Sequence, residues 1–147
     1  MIGKPIGEDV RQRVQVFFRN RCAYCHSPLV IFPAARQIDH IVPRNDGGSD
    51  DEFNLCLCCA HCNRHKAART SVIDPLTLCS TPLFHPRQDH WADHFVWAYG
   101  GAKVIGITAC GRATVDTLKM NNLDLVEARQ LWINAEWHPP GDDPIQN

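Results

Sequence analysis

The sequence predicts an α+β fold, with a cysteine-bridged front half and a small hairpin-and-helices extension behind it. Three observations predict it. Apolar residues recur at helical spacing near both ends of the chain. Short apolar runs bounded by proline, glycine and aspartate read as strands between them. Two Cys-x-x-Cys pairs bracket the middle of the front half. The 147 residues suit one domain or a small domain with an extension, and the expected units are 1–74 and 75–147.

Val10, Val14, Phe17 and Phe18 form one apolar face of a helix expected over 8–19. Glu8 and Asp9 sit in its first turn, where negative charge suits the helix dipole. Arg11, Arg13, Arg19 and Arg21 decorate it, as a solvated face or as contacts to a nucleic-acid backbone. Strands are expected over 29–32 and 36–42, separated by Pro33. Residues 43–51 make a loop by composition, 54–58 a short apolar strand and 60–70 a helix. Asp74-Pro75 breaks the chain, and a proline-rich link follows. Runs 95–99 and 103–108 flank Gly100-Gly101 as a hairpin with a two-residue turn. Thr108 or Gly111 then precedes a helix that ends near Lys119. Another covers 123–136, with Leu125, Ala128, Leu131 and Trp132 as its apolar stripe. Residues from Trp137 form a tail.

Net charge is -1, which argues against binding nucleic acid by bulk charge alone. The charge is uneven, +3 over residues 1–70 and -4 over 71–147. A basic front half can present a local phosphate-binding face. No stretch is long and apolar enough to span a membrane, and the first residues lack the apolar region of a signal peptide. The expected location is the cytoplasm, where thiols stay reduced. Eight cysteines in such a compartment point to metal ligation before disulfides.

The stretch Leu55–Lys66, LCLCCAHCNRHK, carries four of those cysteines. Cys22-x-x-Cys25 and Cys59-x-x-Cys62 are the pairs with the spacing of a tetrahedral thiolate zinc site. Four sulfurs close the coordination sphere, so this Zn2+ is structural and contributes to folding, not to chemistry. Cys56 and Cys58 are expected in a strand as small buried apolar residues, and Cys79 and Cys110 are solitary. His26 and His61 lie within or beside the pairs but are not needed as ligands.

Between the pairs lies IDHIVPRNDGGSDDEFNLCLCCAHCN. The chain here resembles the HNH endonuclease family, through Cys22 and Cys25, Asp39-His40-Ile41-x-Pro43, Gly47-Gly48, Asn54-Leu55 and Cys59-x-x-Cys62-Asn63-x-x-Lys66. The resemblance covers Arg21 to Lys66 and implies a ββα-metal finger, two strands and a helix around one catalytic cation. It implies that His40 is the general base and that Asn54 positions the loop and that base. It also implies that Asp39 and Asn63 hold Mg2+ or Mn2+. The residue types agree with those roles. Phosphodiester hydrolysis needs an activated water and charge relief at the phosphoryl oxygens. A neutral imidazole is suited to take a proton near pH 7, and oxygen donors suit a hard cation. Spacing alone puts Asp39 and His40 on opposite faces of a strand. Lys66 shares a helix face with Asn63 and is a candidate phosphate contact, with Arg64, Arg69 and Arg44 behind it. His65 faces another side.

The function expected is therefore metal-dependent hydrolysis of DNA phosphodiester bonds, with DNA as the partner and no protein partner indicated. A non-catalytic zinc module binding nucleic acid or protein is the alternative. Redox use of the spare cysteines is a third reading, with nothing basic near Cys56 or Cys58 to lower their pKa. His90 and His94 are four apart but sit among Trp91, Phe95 and Trp97, and read as histidines at the edge of the core. The tail of the chain resembles that of short bacterial HNH proteins, with no chemistry attached to it.

Overall fold

The computed structural model describes residues 5–31 and 33–141. Expectations for Phe32, for the first four residues and for the tail beyond Gly141 lie outside them.

Helix α1 (Glu8–Phe17) stops short of the expected end. Arg19 and Asn20 take left-handed backbone, with φ of 52° and 55°, and turn the chain toward the first cysteine pair. Val14 and Phe18 are wholly buried and seat the helix on strand β2.

Strand β1 (Arg36–His40) pairs antiparallel with β2 (Leu55–Cys59), and helix α2 (Ala60–Lys66) follows without a loop and packs on both. The register sets Asp39 opposite Cys56 and His40 opposite Leu55. β1 ends at His40, not Val42, because the Asn54 side chain takes both backbone groups of Val42 away from the ladder. α2 ends at Lys66 because Ala67 turns to φ 51°. The strand expected at 29–32 does not form in its described part. Leu29 is buried and its N–H bonds to the carbonyl of Asn20 at 2.7 Å, Val30 and Ile31 lie outside any strand, and residues 33–35 make a 3-10 turn.

The stretch read as a proline-rich link holds a second antiparallel pair, β3 (Ser71–Ile73) with β4 (Ser80–Pro82). Asp74 organises its turn. The wholly buried carboxylate accepts from the Leu76 N–H, the Thr77 hydroxyl and two nitrogens of Arg112. Position 74/75 therefore lies inside a hairpin. The prolines of this stretch concealed strands of only three residues.

Helix α3 (Trp91–His94) leads into β5 (Phe95–Ala98), which pairs antiparallel with β6 (Lys103–Gly106). The connection runs 99–102 through a 3-10 turn, longer than the two residues expected; Gly100 and Gly101 supply its φ values of 65° and 106°. Helix α4 (Ala109–Thr117) is capped by Thr108 and α5 (Leu123–Asn134) by Asn122. Of the expected apolar stripe of α5, Leu125, Ala128 and Trp132 are half-buried. Leu131 is 70% exposed, while Arg129 is wholly buried and donates to the carbonyls of Ala102 and Met120. Burial lowers the pKa of that guanidinium, and the charges of Cys25, Cys62, Cys59 and Cys22 oppose the shift.

One core joins front and rear. Tyr24 meets Phe84 edge-on, and the Trp91 indole N–H donates to the Tyr24 carbonyl at 2.9 Å. Arg87 crosses between them as well. It donates to the carbonyls of Leu55 and Glu52 and lies 4.0 Å over the Phe17 ring. Among the described residues, no helix is long and apolar enough to cross a membrane.

Candidate active site

The first element of the site is sulfur. Cys22 and Cys25 lie in the turn after α1, Cys59 ends β2, and Cys62 lies in the first turn of α2. Their four Sγ atoms all lie within 4.8 Å of one another and all four residues are buried. Cys25 and Cys59 sulfurs stand 3.7 Å apart, and the Cys62 N–H donates to the Cys59 sulfur at 3.4 Å. That amide-to-sulfur bond supports a thiolate, as metal ligation requires. Hydrogen bonding to the neighbouring sulfurs, that of Cys22 first, holds the Cys59 and Cys62 thiols well above the ordinary range. At Cys22 burial works against ionisation, but the surrounding thiols outweigh it and pull the pKa well down. Four sulfurs that must share protons around one point are a group a divalent ion can hold in their place. Neither histidine beside them joins the group. His26 stacks on Trp91 at 4.4 Å, and His61 faces the carbonyls of Leu118 and Lys119 through its Nε2. Cys56 and Cys58 are buried in β2, and burial pushes the Cys56 thiol up.

Asp39 and His40 leave the end of β1. Although adjacent, both line one recess of about 210 Å³, with Pro43, Arg44 and Ala67 on its walls. The loop from Val42 to Asp51 makes this possible by folding back over the strand end. Asn54 holds it: the side-chain oxygen accepts from the Val42 N–H at 2.9 Å, and the side-chain nitrogen donates to the carbonyls of Val42 and Ser49 at 3.0 and 2.8 Å. Gly47 supplies a φ of 86° in the turn. Gly48 lies against the Val42 carbonyl so closely that a Cβ there would collide with it. At the end of this loop Asp50 meets His40 Nε2 at 2.8 Å and accepts from Arg44 Nε at 2.8 Å. Arg44, followed by His40, holds the Asp50 carboxyl below the usual carboxylate range. Asp50 was not singled out in the sequence. The only signal available was its place in an acidic loop after the two glycines.

The remaining candidates are placed as follows. The Asp39 carboxylate pairs with Lys66 Nζ at 2.8 Å, and Lys66 also donates to the His40 carbonyl at 3.1 Å. Lys66 is 1% exposed, so it is a buried partner of Asp39 and not a cation presented to solvent. Asn63 is half-buried and donates its amide nitrogen to Gln37, two residues before Asp39 on the same face of β1. Arg64 and Arg69 are exposed beside His65, and Arg69 donates to the His65 carbonyl at 2.6 Å. Arg44 is engaged by Asp50 at the recess wall. His65 bonds through Nδ1 to the His61 carbonyl.

A paired strand and helix braced by four cysteines, with an Asp-His recess at the strand end, define a small metal-knuckle domain. Residues 22–69 of the chain match the model of the HNH endonuclease family. A stretch of 66 residues is 38% identical to the CRISPR-associated endonuclease Cas9 of Corynebacterium diphtheriae, covering 44% of this chain and 6% of that protein. No solved structure matches the chain.

Proposed function

We propose that the chain is a metal-dependent HNH endonuclease that hydrolyses DNA phosphodiester bonds, with the ββα-metal arrangement formed by β1, β2 and α2. The observation that carries this reading is the His40–Asp50 contact at the mouth of the Asp39–His40 recess. A carboxylate on Nε2 accepts that nitrogen's proton and leaves Nδ1 with a lone pair. His40 then takes a proton from water at Nδ1, and Asp50 stabilises the imidazolium formed. Asn54 acts through the loop, keeping Asp50 over the ring. Asp39 and Asn63 would hold Mg2+ or Mn2+, because both carry the hard oxygen donors such an ion prefers; Asn63 faces Gln37 and lies outside the Asp39–His40 recess, so it would have to turn toward the ion. Such an ion supplies charge relief at the phosphoryl and leaving oxygens. Cys22, Cys25, Cys59 and Cys62 would hold a structural Zn2+, which ties the turn after α1 to the β2–α2 junction. Arg64 and Arg69, exposed on α2 and after it, are suited to contact the nucleic-acid backbone, with Arg44 at the recess itself. The cytoplasm remains the expected location, as a reducing compartment that keeps these thiols free to ligate.

One observation favours a second reading, a zinc module that binds nucleic acid without cutting it. Lys66 already stands 2.8 Å from the Asp39 carboxylate, where the divalent cation would sit. The two readings separate in a plasmid-cleavage assay across divalent cations, run with wild type and His40→Ala. Cutting that needs Mg2+ or Mn2+ and falls about 10²–10⁴-fold in the variant, at unchanged zinc content, is the expected result. Binding without cleavage would establish the second reading, and equal cutting by both proteins would remove His40 as the base.

A further inference from the structure

We propose that Asp89, His94 and Cys110 form a second metal site, a three-donor centre for a thiophilic divalent ion such as Zn2+, independent of the four-cysteine group and of the His40 recess. Their ligand atoms lie within 4.8 Å of one another. All three residues are half-buried and line a single cavity of about 400 Å³.

The fold brings them together by close packing. Asp89 lies in the turn before α3, His94 ends that single-turn helix, and Cys110 lies in the first turn of α4. Gly111 makes the approach possible. A Cβ on it would collide with the His94 carbonyl, so only glycine lets α4 press this tightly on α3. The chain thus sets Cys110 beside His94 by a backbone contact, not by a flexible reach.

Two of the three donors are also oriented from behind. His94 Nδ1 bonds to the Thr108 hydroxyl at 2.6 Å, and that oxygen accepts from the Gly111 N–H at 3.0 Å. An imidazole that gives Nδ1–H to an oxygen presents Nε2 as a ligand, which is the outer arrangement of metal-bound histidines. Asp89 Oδ2 accepts from the His85 N–H at 2.9 Å, which fixes the carboxylate. Phe84 meets the His94 ring edge-on at 5.9 Å and restricts its rotation.

The chemistry of the set selects the ion. One sulfur, one imidazole nitrogen and one carboxylate oxygen suit Zn2+ and exclude Mg2+ or Ca2+, which want oxygen throughout. A thiolate and a carboxylate neutralise a dication, so the half-buried centre carries no net charge. Tetrahedral zinc sets ligand atoms roughly 3.3–3.8 Å apart, so the three need to close by at most about 1.5 Å on the ion. The fourth position faces the cavity and takes water or a small anion. A Cys-His-Asp nucleophilic triad fits the same residues less well. There the carboxylate must orient the imidazole, and here Thr108 occupies Nδ1.

The test is cobalt titration of the full-length chain, chelated beforehand until one zinc per chain remains. Expected is uptake of one Co2+ per chain beyond the zinc already held, with a sulfur-to-cobalt charge-transfer band. Cys110→Ser should lose that band, Asp89→Asn should weaken uptake at least tenfold, and Cys56→Ser should change neither. An unaltered band in Cys110→Ser, or no extra cobalt bound by wild type, would overturn the site. Should circular dichroism find Cys110→Ser unfolded, Asp89→Asn decides alone, and undiminished uptake in it counts against the proposal. DNA cleavage is not read, so failure here leaves the endonuclease reading untouched.

Discussion

His40 meets the Asp50 carboxylate through Nε2 at 2.8 Å, and that contact holds the ring's orientation. Asp50 lies ten residues away, on an exposed loop, with its carboxylate shared between His40 and Arg44. Asp50→Ala removes the acceptor on Nε2, so the imidazole loses both its tautomer preference and its orientation. The expected outcome is a fall in cleavage rate on the order of 10- to 100-fold with zinc content unchanged. It is checked by plasmid nicking beside metal analysis. The residue scale is also where the sequence was most informative. Cys22, Cys25, Cys59 and Cys62 converge because pair spacing dictates a knuckle, whatever lies between. Asp50 was illegible for the opposite reason. Its role depends on how a loop of glycines folds back, and no periodicity reports that. Lys66 was legible as a helix-face neighbour of Asn63 but not as buried, because burial depends on the Asp39 partner across the β1–α2 contact.

At the scale of elements, the loop between β1 and β2 is the piece on which the recess depends. Asn54 spans it with three hydrogen bonds, and Gly48 lets it close on Val42. Asn54→Ala leaves the Val42 backbone groups without these partners. The expected cost is about 1–3 kcal/mol, read as a lower urea midpoint, with a matching loss of cleavage. Motif residues at fixed spacing made this loop readable in advance. The β3–β4 pair was not readable, since three-residue strands carry too short an alternation to stand out from the prolines around them. The buried face of α5 was read only in part for a related reason. The helix packs on the 99–101 turn, and a buried arginine, not a leucine, fills that contact.

For the whole molecule, the rear half is part of the same core. Trp91 stacks on His26 and donates to Tyr24, within the turn that carries the first cysteine pair. Trp91→Ala is expected to lower stability by about 3–5 kcal/mol, measured by chemical denaturation of the zinc-loaded chain. Acid acts on this assembly through His138. Its Nε2–H donates to the Gly101 carbonyl, and burial pushes its pKa down to about 4. The unfolded chain, titrating near 6.5, binds that proton first, so the contribution is complete above about 6.5 and is lost as pH falls toward 4. His138→Gln should therefore flatten the fall in melting temperature between pH 6.5 and 5. The share of His138 in the wild-type loss over that range is about 2 kcal/mol at most.

The hairpin that straddles Asp74 bears on how such a gene is handled. A recombinant trimmed after that codon to keep only the motif would expose an unmated edge strand and strip the lid from Tyr24. Its precipitation in the tube would then be mistaken for an inert enzyme.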